Sequence, residues 1–360
     1  MKLSAKSKCG LARLSLSLSL YLLATLGLTS HATSELGTGQ FRGRDKMKEF
    51  LYSPYLDINV PLQAESGASA PSSSSAIAPR AEWAATALPD DVKFLTLAFA
   101  TGECGSERWN GREAQTVADS SLKAVQRAGI GYVISTGGAQ GVFTCASEQG
   151  MEKFIAHYNA RQLLGFDFDI EAGQSALVIA SLVEQVRGAM QRHPQLRFSF
   201  TLATLSSTDE DQASLNQHGA LVMKTIANAG LNNYFINLMV MNYGEAKPDN
   251  CIVENDHCDM AASAIQVAQN FSREYGVPMQ RIELTPMIGV NDVVKNVFTL
   301  DDARSLSRFV RTNGLGGLHY WSLGRDRPCA LNMNAVSPTC SSLSGPGRFE
   351  FNQTFAIDSR

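Results

Sequence analysis

Three carboxylates fall at alternate positions in the segment Leu163-Leu-Gly-Phe-Asp167-Phe-Asp169-Ile-Glu171. In a strand, alternate side chains share a face, so Asp167, Asp169 and Glu171 lie on one side and Phe166, Phe168 and Ile170 on the other. The apolar side demands a buried partner, which argues against a solvated edge strand carrying a charge run. Enclosing three acids on the opposite side costs desolvation and mutual repulsion, a cost that a merely structural strand avoids. Neighbouring negative charge raises the proton affinity of one member, so Glu171 at the open end can stay protonated near neutral pH while Asp169 beside it is ionised. A protonated acid next to an ionised carboxylate is the pair that acid–base cleavage of a glycosidic bond uses. No histidine or further acid accompanies the strand at ligand spacing, so neither a metal nor another cofactor is expected.

The acid segment sits in an alternating pattern. Compact apolar stretches at 94–100, 131–135, 163–171, 197–205, 234–243, 282–290 and 315–322 read as strands. Helical periodicity falls between them at 117–128, 176–191, 215–229, 261–275 and 301–312, and glycines at 129, 230, 276 and 314 stand where helix ends favour a left-handed residue. Thr299 and Asp302 have the spacing of a capping box. With an early strand at 52–60 the strands number eight, the count that closes a (β/α)8 TIM barrel in a single domain spanning 49–360. An open doubly wound sheet is the alternative, but no GxGxxG or P-loop follows any strand. A Ser/Ala/Pro-rich stretch at 65–80 then reads as a loop insertion after the first strand, with a scaffold role for it resting on composition alone.

The chain has 360 residues, 44% hydrophobic and 18% charged, enough to bury a large core. With 31 basic against 34 acidic side chains it presents no strong field, which disfavours a nucleic-acid partner or an anionic membrane surface and suits a neutral ligand. Lys2, Lys6, Lys8 and Arg13 precede an apolar run at 14–28 and then Ser30-His31-Ala32, the order of a secretory signal peptide over 1–32, followed by a loose polar segment at 33–48. The run is short of the roughly 20 residues that a membrane anchor needs, so a soluble secreted or periplasmic protein, acting as a monomer, is expected. Cleavage removes Cys9 and leaves an even set of six: Cys104, Cys145, Cys251, Cys258, Cys329 and Cys340. Cys251 with Cys258 and Cys329 with Cys340 are near enough to close short loops, leaving Cys104 for Cys145, although six cysteines allow fifteen pairings. A zinc site is the competing reading, disfavoured by the lack of a CxxC pair, with His257 the one local histidine.

Together these motifs resemble family 18 glycoside hydrolases, most closely bacterial chitinases of the chitinase D type. The acid segment is similar to the family's DxxDxDxE signature, Ser135-Thr-Gly-Gly138 to its SxGG strand, Met241-Asn242-Tyr243 to its MxY strand, and Trp321 to the tryptophan on its last strand. Thr285-Pro-Met287-Ile-Gly-Val-Asn-Asp292 also agrees, and the likeness runs from Tyr52 to the C-terminus. Two positions depart from the pattern: Leu164 stands at the first acid, which implies a carboxylate network one member shorter, and Gly244 follows Tyr243 where many members carry Asp or Asn.

The resemblance implies cleavage of β-1,4-linked N-acetylglucosamine polymers by substrate-assisted retention, in which the sugar's own acetamido oxygen attacks the anomeric carbon. Glu171 would be the acid and later the base, Asp169 would hold the acetamido N–H, Asp167 would tune Asp169, and Tyr243 would hold the acetamido carbonyl. Trp321 would form an apolar floor, with Met241, Asn242, Met287 and Gly138 lining the substrate site. For Trp321 and for the glycines of Ser135–Gly138, plain barrel packing is the competing reading. Two other functions are carried: an endo-β-N-acetylglucosaminidase acting on N-glycans, and a glycan-binding barrel without catalysis, which retention of Glu171 disfavours.

Overall fold

The first strand is broken in two by Pro54, and that break shows how the sheet closes. In the computed structural model, β1 (Leu51–Tyr52) pairs in parallel with β9 (Gly317–Leu318), while β2 (Tyr55–Asp57) pairs in parallel with β3 (Phe94–Ala100). Proline has no N–H to donate, so the ladder is interrupted there. The Pro54 carbonyl accepts from Thr96 N at 3.0 Å on one side, and Tyr55 N donates to the Tyr320 carbonyl at 3.1 Å on the other. The sheet runs β1, β9, β8 (Ile282–Thr285), β7 (Phe235–Met239), β6 (Arg197–Ala203), β5 (Leu163–Asp169), β4 (Gly131–Gly137), β3, β2. Its nine pieces have β1 and β2 at opposite ends, so they count as eight strands of one closed parallel barrel, the architecture expected.

The structure describes residues 50–60, 88–89, 91–139, 141–171, 173–206, 213–330 and 335–358. The signal segment 1–32, the segment 33–48 and the serine-rich stretch 65–80 lie outside them. The described residues belong to one unit, Arg42–Arg360.

Helices follow the strands: α1 (114–127, with a π-helical turn at Ala118–Leu122), α2 (Glu148–Tyr158), α3 (Ala176–Arg192), α4 (Gln217–Ala229), α5 (Met260–Tyr275), α6 (Leu300–Asn313) and α7 (Glu350–Asp358). Gly230, Gly276 and Gly314 take left-handed C-cap conformations, and Thr299 and Asp302 form the anticipated capping box. The sequence pattern passed over α2 and α7. The β7, β8 and β9 strands stop earlier than their apolar runs, and after β8 the chain pairs Gly289–Val290 with Val297–Phe298 in a hairpin. Gly289 permits that turn: at φ +70° it lies where a Cβ would sit 2.0 Å from the Ser341 carbonyl oxygen.

The outer face of β5 is the apolar one. Phe166 packs against Phe154 of α2 with ring centroids 4.9 Å apart, and Phe168 against Phe143 at 6.1 Å. Leu164 falls outside that alternation: the β4–β5 ladder pairs Tyr132 with Leu163 and Val133 with Gly165, so Leu164 is the extra residue of a bulge, and its side chain lies toward Gly131.

The three disulfides are Cys104–Cys145, Cys251–Cys258 and Cys329–Cys340, as the spacing suggested. Glu103, Cys104 and Cys145 are near enough to form a metal-ligand set, but both sulfurs are spent on each other.

Candidate active site

Inside the barrel, Asp167 is 2% exposed and accepts four hydrogen bonds from hydroxyls. Tyr55 Oη (3.0 Å) and Ser135 Oγ (2.7 Å) reach Oδ2, and Ser199 Oγ (2.7 Å) and Thr201 Oγ1 (2.8 Å) reach Oδ1. The donors come from β2, β4 and β6, so the carboxylate is fixed from three strands. Asn237 Nδ2 braces Tyr55 Oη at 3.0 Å and Thr201 Oγ1 at 2.8 Å, and Thr285 Oγ1 in turn donates to Asn237 Oδ1 at 2.8 Å. Burial raises the Asp167 pKa, the bonds from Ser135, Ser199 and Thr201 pull it back, and the Glu283 charge adds to the rise.

Asp169, one step up the same face, is 5% exposed, and its Oδ1 has no hydrogen-bond partner among the described residues. Burial, then the Glu171 charge, then Asp167 push it well above the ordinary carboxylate range. Glu171 lies two residues past the strand end, half-buried, its pKa raised by burial and then by Asp292. Asp169 is the more deeply buried of the two and the Glu171 charge opposes its ionisation, so the two carboxyls titrate as a pair.

Gly137 lets β4 approach β5 here, and Gly138 makes room for Phe99 of β3. A Cβ on Gly137 would stand 2.0 Å from the Asp169 carbonyl oxygen, and one on Gly138 (φ +79°) would stand 3.0 Å from the Phe99 ring. The packing reading of Ser135–Gly138 thus accounts for both glycines, while Ser135 holds Asp167 directly.

Tyr243 is 8% exposed, yet its buried hydroxyl has no hydrogen-bond partner among the described residues. Burial raises its pKa well above the ordinary value, and the nearby Thr204 hydroxyl, which itself donates to the Met239 carbonyl at 2.8 Å, pulls it back only in part. Trp321 is partly exposed and stacks on Phe99, with centroids 5.4 Å apart and planes at 19°; Tyr55 lies 5.9 Å away. Met287 pairs with Trp321 through the backbone and is 2% exposed, supporting the tryptophan from its own strand. Met241 is buried. Asn242, at φ 58°, accepts from Val293 N at 3.1 Å and donates to Asp292 Oδ2 at 3.1 Å. Gly244, at φ +98°, is bridged by Asn296, which accepts from its N–H at 3.0 Å and donates to its carbonyl at 2.9 Å. Most side chains at 244 would be strained in that conformation.

Sequence reasoning missed Tyr55, Ser199, Thr201, Asn237, Phe99 and Asp292. Ser199 and Thr201 alternate on β6 as the acids do on β5, which was a legible signal. A cavity of about 690 Å³ between the starts of α5 and α6, lined by His257, Lys295 and Asp301, contains none of the acids.

No family model matches the chain. It is 29% identical over 286 residues to Endochitinase 11 of Metarhizium anisopliae, covering 71% of this chain and 53% of that protein. It is 28% identical over 298 residues to the probable bifunctional chitinase/lysozyme of Escherichia coli K12, covering 76% and 32%. The chain thus spans about half and about a third of these curated relatives. Active domain 2 of a chitinase from Pyrococcus furiosus superposes with a TM-score of 0.65 at 26% identity, covering 86% of this chain and 95% of that one. A closed barrel with three acids stepping up β5 and its end is thus the setting in which the chain is similar to these chitinases and to family 18 glycoside hydrolases.

Proposed function

We propose that the protein is an exported chitinase that cleaves β-1,4-linked N-acetylglucosamine polymers with retention of configuration. The observation that carries this reading is the pair of buried polar atoms left without partners at the site, the acceptor Asp169 Oδ1 and the donor Tyr243 Oη. Buried polar groups are nearly always paired, so each unpaired one calls for an explanation. A 2-acetamido group supplies one N–H and one C=O, the complements of these two atoms.

Glu171 protonates the glycosidic oxygen as its bond to the anomeric carbon breaks, and the acetamido oxygen closes on that carbon. Asp169 accepts the acetamido N–H and stabilises the positive charge that develops on the ring so formed, while Tyr243 donates to the attacking oxygen and aligns it. Glu171, now a carboxylate, takes a proton from water, which opens the ring on the same face. Asp167 stays fixed by its four hydroxyls and sets the proton affinity of Asp169. Trp321, braced by Phe99, forms the floor under the sugar, and Met241, Asn242, Met287 and Gly138 shape the walls around it. No metal or cofactor enters this scheme.

Three disulfides fit an oxidising compartment, and no helix among the described residues is long and apolar enough to cross a membrane. The disulfides support secretion after removal of 1–32, and the proposal includes a catalytic domain over 49–360 acting as a monomer on chitin or its oligosaccharides, without nucleic acid or membrane partners. The test is to digest chitin oligomers and, in parallel, an N-glycosylated protein, following the anomer first released by NMR. The β-anomer from chitin oligomers is expected. Release of the α-anomer, or cleavage of the glycoprotein alone, would overturn the proposal.

A further inference from the structure

Below Asp167 the barrel is filled by a second polar layer rather than by aliphatic side chains. Arg197 Nε donates to Glu283 Oε1 at 2.9 Å, and its Nη2 bonds the same oxygen and the Gly316 carbonyl. His319 Nε2 stands 3.5 Å from Glu283 Oε2, and its Nδ1 meets Ser53 Oγ at 2.9 Å. Arg197, Glu283 and His319 are 5%, 2% and 3% exposed. Between this layer and Asp167 lies a cavity of about 10 Å³, with Asp167, Ser199, Asn237, Glu283 and His319 in its walls. Every residue lining it is buried, which limits its access to bulk solvent. The volume is about that of one water, and the walls offer more than the two to four polar partners that hold a buried water in place.

We propose that this cavity binds one water molecule that ties the Asp167 carboxylate to the Glu283–His319 pair, making Glu283 and His319 positioning residues for the acid strand. The titratable and charged groups facing the cavity are Tyr55 on β2, Asp167 on β5, Arg197 on β6, Glu283 on β8 and His319 beyond β9. Burial opposes ionisation of Glu283, but Arg197 and then His319 bring its pKa down to about 2, so it remains a carboxylate through the working pH range. Its fixed negative charge raises the proton affinity of Asp167. A water held between the two transmits that influence and keeps the Asp167 carboxylate in the plane that its four hydroxyl donors define.

The effect on catalysis rests on the proposed function, whereas the water site does not, and the experiments separate them. Neutron or high-resolution X-ray diffraction from the full chain should show one ordered water within hydrogen-bond distance of Asp167 and of Glu283 or His319; a dry cavity overturns the proposal. Carboxyl 13C NMR of Glu283→Gln should show the Asp167 titration midpoint lowered by about half a unit or more, since a charge that raises it has been removed; an unchanged midpoint also overturns it. Val133→Ile fills the cavity from its apolar wall without touching a charged group. That variant should fold, lose the water peak and lower kcat on a chitin oligomer about threefold or more with KM unchanged. Loss of the peak with kcat and the pH profile intact refutes the positioning role. Wild-type protein that shows the water and the coupled titration but cleaves no glycan contradicts the proposed function and leaves this site standing.

Discussion

Tyr243→Phe should change stability and activity in opposite directions. The Tyr243 hydroxyl is buried and has no partner in hydrogen-bond geometry among the described residues, with only Thr204 near it, so the free protein bears a largely uncompensated desolvation cost of about 1–3 kcal/mol for that group. Phenylalanine keeps the ring and removes the cost. The variant should be more stable by about 1 kcal/mol, allowing for the small space left behind, which raises Tm by roughly 2 °C in a domain of this size. With substrate bound, the same hydroxyl donates to an acetamido oxygen that attacks the anomeric carbon. Losing a hydrogen bond to a group that gains charge costs about 1.5–3 kcal/mol, so kcat/KM should fall by roughly 10- to 150-fold. Thermal melting and hydrolysis of a fluorogenic chitobioside, measured on one preparation, test both arms. Tm lowered by several degrees would mean that the hydroxyl is bonded in the free protein. An activity within about threefold of wild type would remove it from the mechanism.

Gly138→Ala should destabilise the protein by about 1–3 kcal/mol and lower activity, because the added Cβ meets the Phe99 ring at 3.0 Å with φ at +79°, and Phe99 supports Trp321; denaturant melts alongside hydrolysis rates check it. Ser replacement of both Cys104 and Cys145, separated by 41 residues, should cost about 4 kcal/mol on the chain-entropy model, against about 2 for the Cys251–Cys258 pair, separated by 7, in the same urea titration. Asp326, which caps α7 through the N–H groups of Phe351 and Asn352, is raised to about 7, chiefly by burial. Because the folded state binds its proton more tightly than the unfolded chain does, its contribution is least costly at low pH, and stability falls as pH rises from about 4 towards 7. Asp326→Asn should flatten that part of the Tm-versus-pH curve.

Much of the barrel was legible because its rules are local. Alternation assigned Phe166 and Phe168 to the helix side and Asp167 and Asp169 to the interior, and glycine spacing marked the ends of α4, α5 and α6. The break at Pro54 was legible in principle, since a proline cannot continue a ladder. The hairpin after β8 was not, because the need for glycine at 289 comes from Ser341, far along the chain. The hydroxyl cradle of Asp167 was hidden for the same reason: Tyr55 and Asp167 are 112 positions apart, and only barrel closure brings them together. The relative proton affinities of Asp169 and Glu171 depend on depth of burial, which alternation does not encode. Leu164 and Gly244 looked like losses from the motif, whereas one is the extra residue of a bulge and the other occupies a conformation that suits glycine.

The most direct test of the central claim is hydrolysis of a fluorogenic chitotriose substrate by wild type and by Glu171→Gln, from about pH 4 to about pH 9. Glutamine preserves the shape of Glu171 but cannot deliver a proton. Wild-type turnover should decline on the alkaline side as Glu171 loses its proton, and the variant should lose about a thousandfold or more while still binding chitin oligomers. Full activity in Glu171→Gln, or no turnover by the wild type while it still binds the oligomers, would contradict the central claim.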